Sequence, residues 1–187
     1  MIERSEKEIK KLVKQAKSGE ADSFGLIYDY YLTRVYRFVF LKVTNKEEAE
    51  DITQQVFMKA WEALPRFENE RSPFAGWLFR IARNTVIDFY RTKKNNLSLD
   101  EGIGVDDVLE NSPEDIFFQN QEKAQVIKAL EHLTEEQKEV VTLRFVEDFS
   151  YKEISVITNK NQAALRIMQH RAIKKLKEVF KELEKKE

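Results

Sequence analysis

The stretch SYKEISVITNKNQAALRIMQHRAIKKLK, residues 150–177, decides how this chain is read: a short, capped helix is followed by a second helix that carries no acid. Between residues 159 and 177 stand Lys160, Arg166, Arg171, Lys174, Lys175 and Lys177, with His170 among them and neither Asp nor Glu. Such a helix is expected against phosphate. Ser150 can cap the first helix while Glu153 reaches back to the cap's amide as a capping box. Ile154 and Ile157 face inward, Ser155 is small where two helices cross, and Asn159 tolerates the left-handed backbone of a tight turn. Asn161 is a good cap for the second helix. There Leu165, Met168, Ala172 and Leu176 recur at helical intervals as a buried stripe. Gln162, Ala163, Arg166, Ile167, His170 and Lys174 are left on the side that would enter a major groove. The spacing predicts a helix-turn-helix, with Thr158 and Lys160 in turn positions usually filled by apolar residues.

The rest of the chain agrees with a helical protein. It has 187 residues, 42% hydrophobic and 35% charged, with only 5 Gly and 3 Pro, a profile of long helices and not of a turn-rich sheet. The formal net charge of -1 makes distribution, not total, the guide to a nucleic-acid partner. With no Cys, disulfides, thiolate nucleophiles and cysteine zinc sites are excluded. The start MIERSEKEIKKLVKQAKSG has no apolar signal core and no later run is long enough to span a bilayer, so the expectation is a cytoplasmic protein without direct membrane insertion.

Caps and periodicity predict an all-α chain of two small helical domains joined by an acidic linker, the second domain holding the helix-turn-helix. Ser5 with Glu8 opens a helix that buries Ile9, Leu12, Val13 and Ala16 and stops at Gly19. An aromatic helix follows over about 22–43, with Phe24, Ile27, Tyr31, Val35 and Phe38 on one side. Asn45 with Glu48 starts a third helix, with Ile52, Val56, Ala60 and Leu64 inward and Pro65 at its end. Ser72 and Pro73 start a fourth, which fades near Lys94. Residues 1–96 thus form the first domain and residues 97–112 the linker. Every charge from 97 to 122 is negative, and no apolar frame surrounds those carboxylates to raise a pKa. Ser112 and Pro113 open the second domain, 113–187, in which Thr134 with Gln137 caps a helix containing Val140, Val141, Leu143 and Phe145.

No P-loop or glycine fingerprint occurs, and His132 and His170 lack metal-ligand spacing, so no enzyme, cofactor or metal site is expected. The second informative region is RFENERSPFAGWLFRIARNTVIDFYRTKK, residues 66–94, where basic side chains outnumber acids and aromatic rings are interleaved with them. Cations hold a strand's backbone and ring faces accept unstacked bases, as single-stranded DNA requires. Asn84 adds an amide able to pair both ways with a base edge.

At this point AEDITQQVFMKAW, SPFAGWLFRIARNTVIDFYR, SYKEISVI and LRIMQHRA, in this order over nearly the whole chain, resemble the two modules of a small extracytoplasmic-function sigma factor of the sigma-70 family. The resemblance implies a first module that binds the clamp helices of core RNA polymerase and melts the minus-ten promoter element. It implies a second module that reads the minus-thirty-five element and meets the polymerase flap, and it suggests an anti-sigma factor as a further partner. Carried over by position, Asp51, Gln54, Phe57 and Trp61 would bind polymerase. Arg71, Ser72, Phe74, Trp77, Arg80, Arg83, Asn84 and Arg91 would hold the melted non-template strand, although Trp77 lies on the Ile81 side of its helix, which favours the core. Arg166, Ile167, His170, Arg171 and Lys174 would read duplex DNA. The family often has Pro where Thr134 stands and Gly in the helix-turn-helix turn, and this chain has neither.

The competing readings are a helix-turn-helix repressor or activator with a helical sensing or dimerising domain, and an adaptor that binds protein alone. The repressor or activator reading explains residues 150–177 equally well but leaves the basic aromatic stretch at 66–94 and the Asp51 surface without a role.

Overall fold

The computed structural model describes residues 5–68, 73–97 and 121–184, and every regular element among them is helical. The first group is α1 (Glu6–Lys17), α2 (Ala21–Val43), α3 (Lys46–Ala63), a 3-10 turn at Leu64–Arg66, and α4 (Phe74–Leu97). Ser5 and Glu8 form the expected box, each side chain bonded to the other's amide. Ile9, Leu12, Val13 and Ala16 are buried as predicted, and Gly19 adopts φ 99°, a region that costs glycine nothing. Asn45 caps α3 by accepting from the Glu48 amide at 2.9 Å, but the capping box expected there is half made, because the Glu48 carboxylate pairs with Lys93 of α4 at 2.6 Å. Pro65 lies in the 3-10 turn, since it has no N–H to continue the α-helical ladder. α4 runs on to Leu97, past the predicted fade at Lys94. Ile27, Val35, Phe38, Ile52, Val56, Ala60, Leu64, Leu78 and Ala82 interlock these helices in the core.

The second group is α5 (Gln121–Glu131), α6 (Glu135–Val141), a π-helical turn at Thr142–Val146, α7 (Tyr151–Thr158) and α8 (Gln162–Glu184). Thr134 with Gln137 and Ser150 with Glu153 make complete capping boxes. Asn159 takes φ 56° between α7 and α8, and Asn161 caps α8 by accepting from the Ala164 amide at 2.8 Å. The helix predicted to run through Phe145 widens instead: Glu147 donates its amide to Thr142, five residues back, and Phe145 is 56% exposed. Lys160, an odd residue for its turn position, is fixed by an ion pair to Glu136 at 2.7 Å. That ammonium, by hydrogen bond and by charge, holds the Glu136 carboxyl below its ordinary pKa.

Ser72, Ser112 and Pro113, and the linker beyond Leu97, lie outside the described residues. The two groups of helices touch. Phe149 packs edge-on against Phe79 of α4, ring centroids 4.9 Å apart, so Val140, Leu143, Ile154, Ile157 and Leu165 join the same apolar cluster as the first group.

Candidate nucleic-acid interface

α8 divides by its 3.6-residue period. Leu165 and Ala172 are fully buried, Met168 and Leu176 are half-buried, and Val179 extends the stripe. The opposite face exposes Ala163, Arg166, Ile167, His170, Arg171 and Lys174, with Ile167 54% exposed. Arg166 also lies over the Tyr151 ring at 4.8 Å, and the Tyr151 hydroxyl donates to the Gln169 side chain, which ties α8 to α7. All five residues expected to read duplex DNA are therefore together on one open surface.

α4 presents a second stripe. Arg80, Asn84, Ile87, Arg91 and Lys94 recur every three or four residues and all are exposed. Ile87, which the sequence groups with the apolar Trp77, Leu78, Ile81 and Ala82 of this helix, is instead 46% exposed and an apolar member of that stripe. Arg91 reaches its neighbour Asp88 at 3.1 Å on the surface. Arg83 lies to one side and faces Glu139 of α6, its Nε 3.0 Å from Oε1. That N–H is not aimed at the oxygen, so the attraction is one of charge and not a formed hydrogen bond.

Two residues expected to touch the melted strand are placed differently. Phe74 is 3% exposed, with Tyr31, Phe67 and Trp77 within 5.6 Å of its ring centre. Trp77 is half-buried, stacked obliquely on Phe67 at 4.7 Å, as its side of the helix suggested. These rings brace the start of α4. Arg71 and Ser72 lie outside the described residues.

On α3, Asp51, Gln54 and Trp61 are exposed along one line, and Trp61 leans on Phe24 at 4.8 Å. Phe57 is not on that line: it is 4% exposed and packs edge-on against Tyr28 at 4.6 Å. Its neighbour Met58, 63% exposed, occupies the position between Gln54 and Trp61. One step along a helix turns a side chain by about 100°, and burial of the Ala49, Ile52, Val56 and Ala60 stripe fixes which of the pair faces out.

Sequence reasoning also missed a polar contact between the helix groups. Glu147 has a fully buried side chain clasped by Arg34 and Arg37 of α2 at 3.0 and 2.7 Å. Burial raises its carboxyl pKa, with the Arg37 and Arg34 guanidiniums pulling the other way. A second contact joins Lys42 of α2, itself buried, to Glu135 at 3.2 Å and to Glu139 at 3.9 Å. Pairs 93 to 113 residues apart leave no mark on local periodicity.

Comparison with known proteins follows the same two-part division. The profile of Sigma-70 region 2 matches residues 27–96, and that of Sigma-70, region 4 matches residues 123–176. The chain is 36% identical over 166 residues to the ECF RNA polymerase sigma factor BldN of Streptomyces coelicolor, an alignment covering 88% of this chain and 63% of that one. It is 31% identical to the ECF RNA polymerase sigma factor SigW of Bacillus subtilis over 94% of this chain and 98% of that one. Among solved structures, the sigma factor RpoE of Bartonella quintana in complex with the anti-sigma factor NepR superposes with a TM-score of 0.74 at 25% identity, covering 84% of this chain and 96% of that chain.

Proposed function

This chain belongs to the extracytoplasmic-function group of the sigma-70 family of RNA polymerase sigma factors, and on that premise we propose which of its surfaces does which part of the work. The α3 line of Asp51, Gln54, Met58 and Trp61 binds the clamp helices of core polymerase. Carboxylate and amide give direction to the contact while Met58 and Trp61 supply apolar area, the aromatic anchor and polar rim common at protein interfaces. Phe57 supports that face from beneath.

The α4 stripe follows the non-template strand of the melted minus-ten element. Arg80, Arg91 and Lys94 neutralise phosphates, and Asn84 offers donor and acceptor to a base edge. Extruding a base costs a few kcal/mol, which trapping it on the protein offsets. Nucleotide chemistry stays with polymerase. α8 enters the major groove of the minus-thirty-five element, with Arg166, Ile167, His170, Arg171 and Lys174 on its reading face.

The observation that carries this reading is the coexistence of three separate exposed faces, on α3, α4 and α8, each with the chemistry its target needs. A repressor that binds an operator alone leaves the α3 and α4 faces idle. The co-crystal of RpoE with NepR supports a protein inhibitor as a further partner. Among the described residues no helix is long and apolar enough to cross a membrane, which fits work in the cytoplasm beside polymerase. Transcription of a promoter library with purified core polymerase tests the reading: the chain is expected to confer start-site choice, and an operator shift by the chain alone, with no effect on polymerase, overturns it.

A further inference from the structure

Tyr151 is the first residue of α7, and its backbone is set by the capping box of Ser150 and Glu153. Its ring is half-buried, and two guanidiniums lie over it: that of Arg166 from α8 at 4.8 Å and that of Arg144 from the π-helical turn at 5.5 Å. Its hydroxyl donates to the side chain of Gln169, a turn of helix beyond Arg166. Positions so spaced share a helix face, so one ring meets α8 at two successive points and its placement relative to that helix is fixed.

The two cations differ in what else holds them. Arg144 donates through Nη1 to the Phe149 carbonyl at 2.9 Å and lies 4.0 Å from the Asp148 carboxylate. Arg166 is exposed and, among the described residues, has neither a carboxylate nor a carbonyl partner; the Tyr151 ring is what it lies on. Arg171 and Lys174, the other cations of that face, lie over no ring among the described residues. A carboxylate would hold Arg166 as firmly, but it would neutralise the charge and take up the N–H donors that a base edge or a phosphate needs. Attraction to an aromatic face restrains the same side chain and leaves those donors free.

We propose that Tyr151 is a positioning residue for promoter recognition: its ring pre-sets the Arg166 side chain on α8 for the minus-thirty-five duplex. The part concerning promoter rests on the function proposed above; the stacking itself is a property of the free chain. A long side chain ordered before encounter loses less freedom on binding, and that saving appears as affinity and as sharper base preference. Arg144, pinned to the Phe149 carbonyl, steadies the ring from the π-helical turn, so order passes from that turn through Tyr151 to α8.

The test uses holoenzyme assembled from the full chain and core polymerase, binding a duplex library randomised over the minus-thirty-five element, which reads affinity and base preference together. Arg166→Ala is expected to cost about tenfold or more and to relax preference at one base pair. Tyr151→Leu, which keeps apolar bulk at the start of α7, is expected to cost about 3–10-fold and to relax the same base pair. Tyr151→Phe keeps the ring and is expected to stay within about twofold of the parent. Added to Arg166→Ala, Tyr151→Leu should cost nothing more, whereas added to Lys174→Ala, a residue it does not touch, its cost should multiply in full; a merely structural Tyr151 would weaken both backgrounds alike. In the free chain, the NMR resonance of the Arg166 Nε–H, assigned by its loss in Arg166→Ala, is expected to be displaced by the ring in the parent and in Tyr151→Phe. A parent resonance at the position of a free arginine overturns the stacking whether or not Tyr151→Leu folds. If Arg166→Ala leaves promoter binding unchanged, the reading of α8 fails and the positioning with it. If Arg166→Ala weakens binding but Tyr151→Leu does not, or multiplies with it, the positioning alone is wrong.

Discussion

Exchanging the roles of two adjacent residues in α3 gives the sharpest test of how this chain meets polymerase. Phe57→Ala removes a ring that is 4% exposed and packed against Tyr28, and a Phe-to-Ala change in such a site costs about 3–5 kcal/mol. Against a total stability of roughly 5–15 kcal/mol, that is a large fraction, and the midpoint of a urea melt should fall accordingly. Met58→Ala touches almost nothing in the free chain, because Met58 is 63% exposed, and its melt should move by no more than about 0.5 kcal/mol. In the polymerase complex the order reverses. Full burial of such a side chain contributes about 1.5–3 kcal/mol, and the share Met58 still exposes corresponds to roughly 1–2 kcal/mol, or about 5–30-fold in affinity. Titrating fluorescently labelled chain with core polymerase, at a temperature where both variants are folded, reads that difference. If Met58→Ala binds like the parent while folded Phe57→Ala does not, the assignment of the outward face is wrong.

Three further outcomes are expected. Lys174→Ala should weaken binding of minus-thirty-five duplex uniformly across sequences and lower the slope of log affinity against log salt by about one, whereas Ile167→Ala, which removes no charge, should leave that slope unchanged and relax base preference; equal slopes for the two variants refute this division. Thr44 holds φ 54° at the end of α2, a costly conformation for a β-branched residue, so Thr44→Gly should stabilise the chain by about 1 kcal/mol, and a lower melting midpoint counts against it. Glu147, whose carboxyl pKa is raised by burial, binds a proton more readily in the folded chain than in the hydrated, unfolded one. Linkage then adds stability as pH falls through the raised value and removes it as pH rises, so the urea midpoint of the parent measured against that of Glu147→Gln should rise on mild acidification, and a fall contradicts the assignment.

The sequence by itself determined whatever is encoded within a few residues. The boxes at Ser5, Thr134 and Ser150 formed because donor and acceptor are three residues apart and need no tertiary help. Asn159 turned left-handed for the same local reason, and the stripe of Leu165 and Ala172 went inward because apolar spacing matched the helical period. The family resemblance, resting on motifs in order along the chain, held over both profiles.

Tertiary structure decided the choices in which neighbouring residues are chemically alike. Phe57 and Met58 are both apolar, and only the packing of α3 on α2 selects which one is buried. Phe74 satisfies the same pattern as an exposed base-stacking ring, yet the cluster with Tyr31 and Phe67 enclosed it. Glu147 and Glu139 read as two more surface carboxylates on a charged chain. Their burial depends on cations in α2 and α4 that fold back across a long stretch of sequence, and Coulomb attraction between distant segments has no period for a sequence to display.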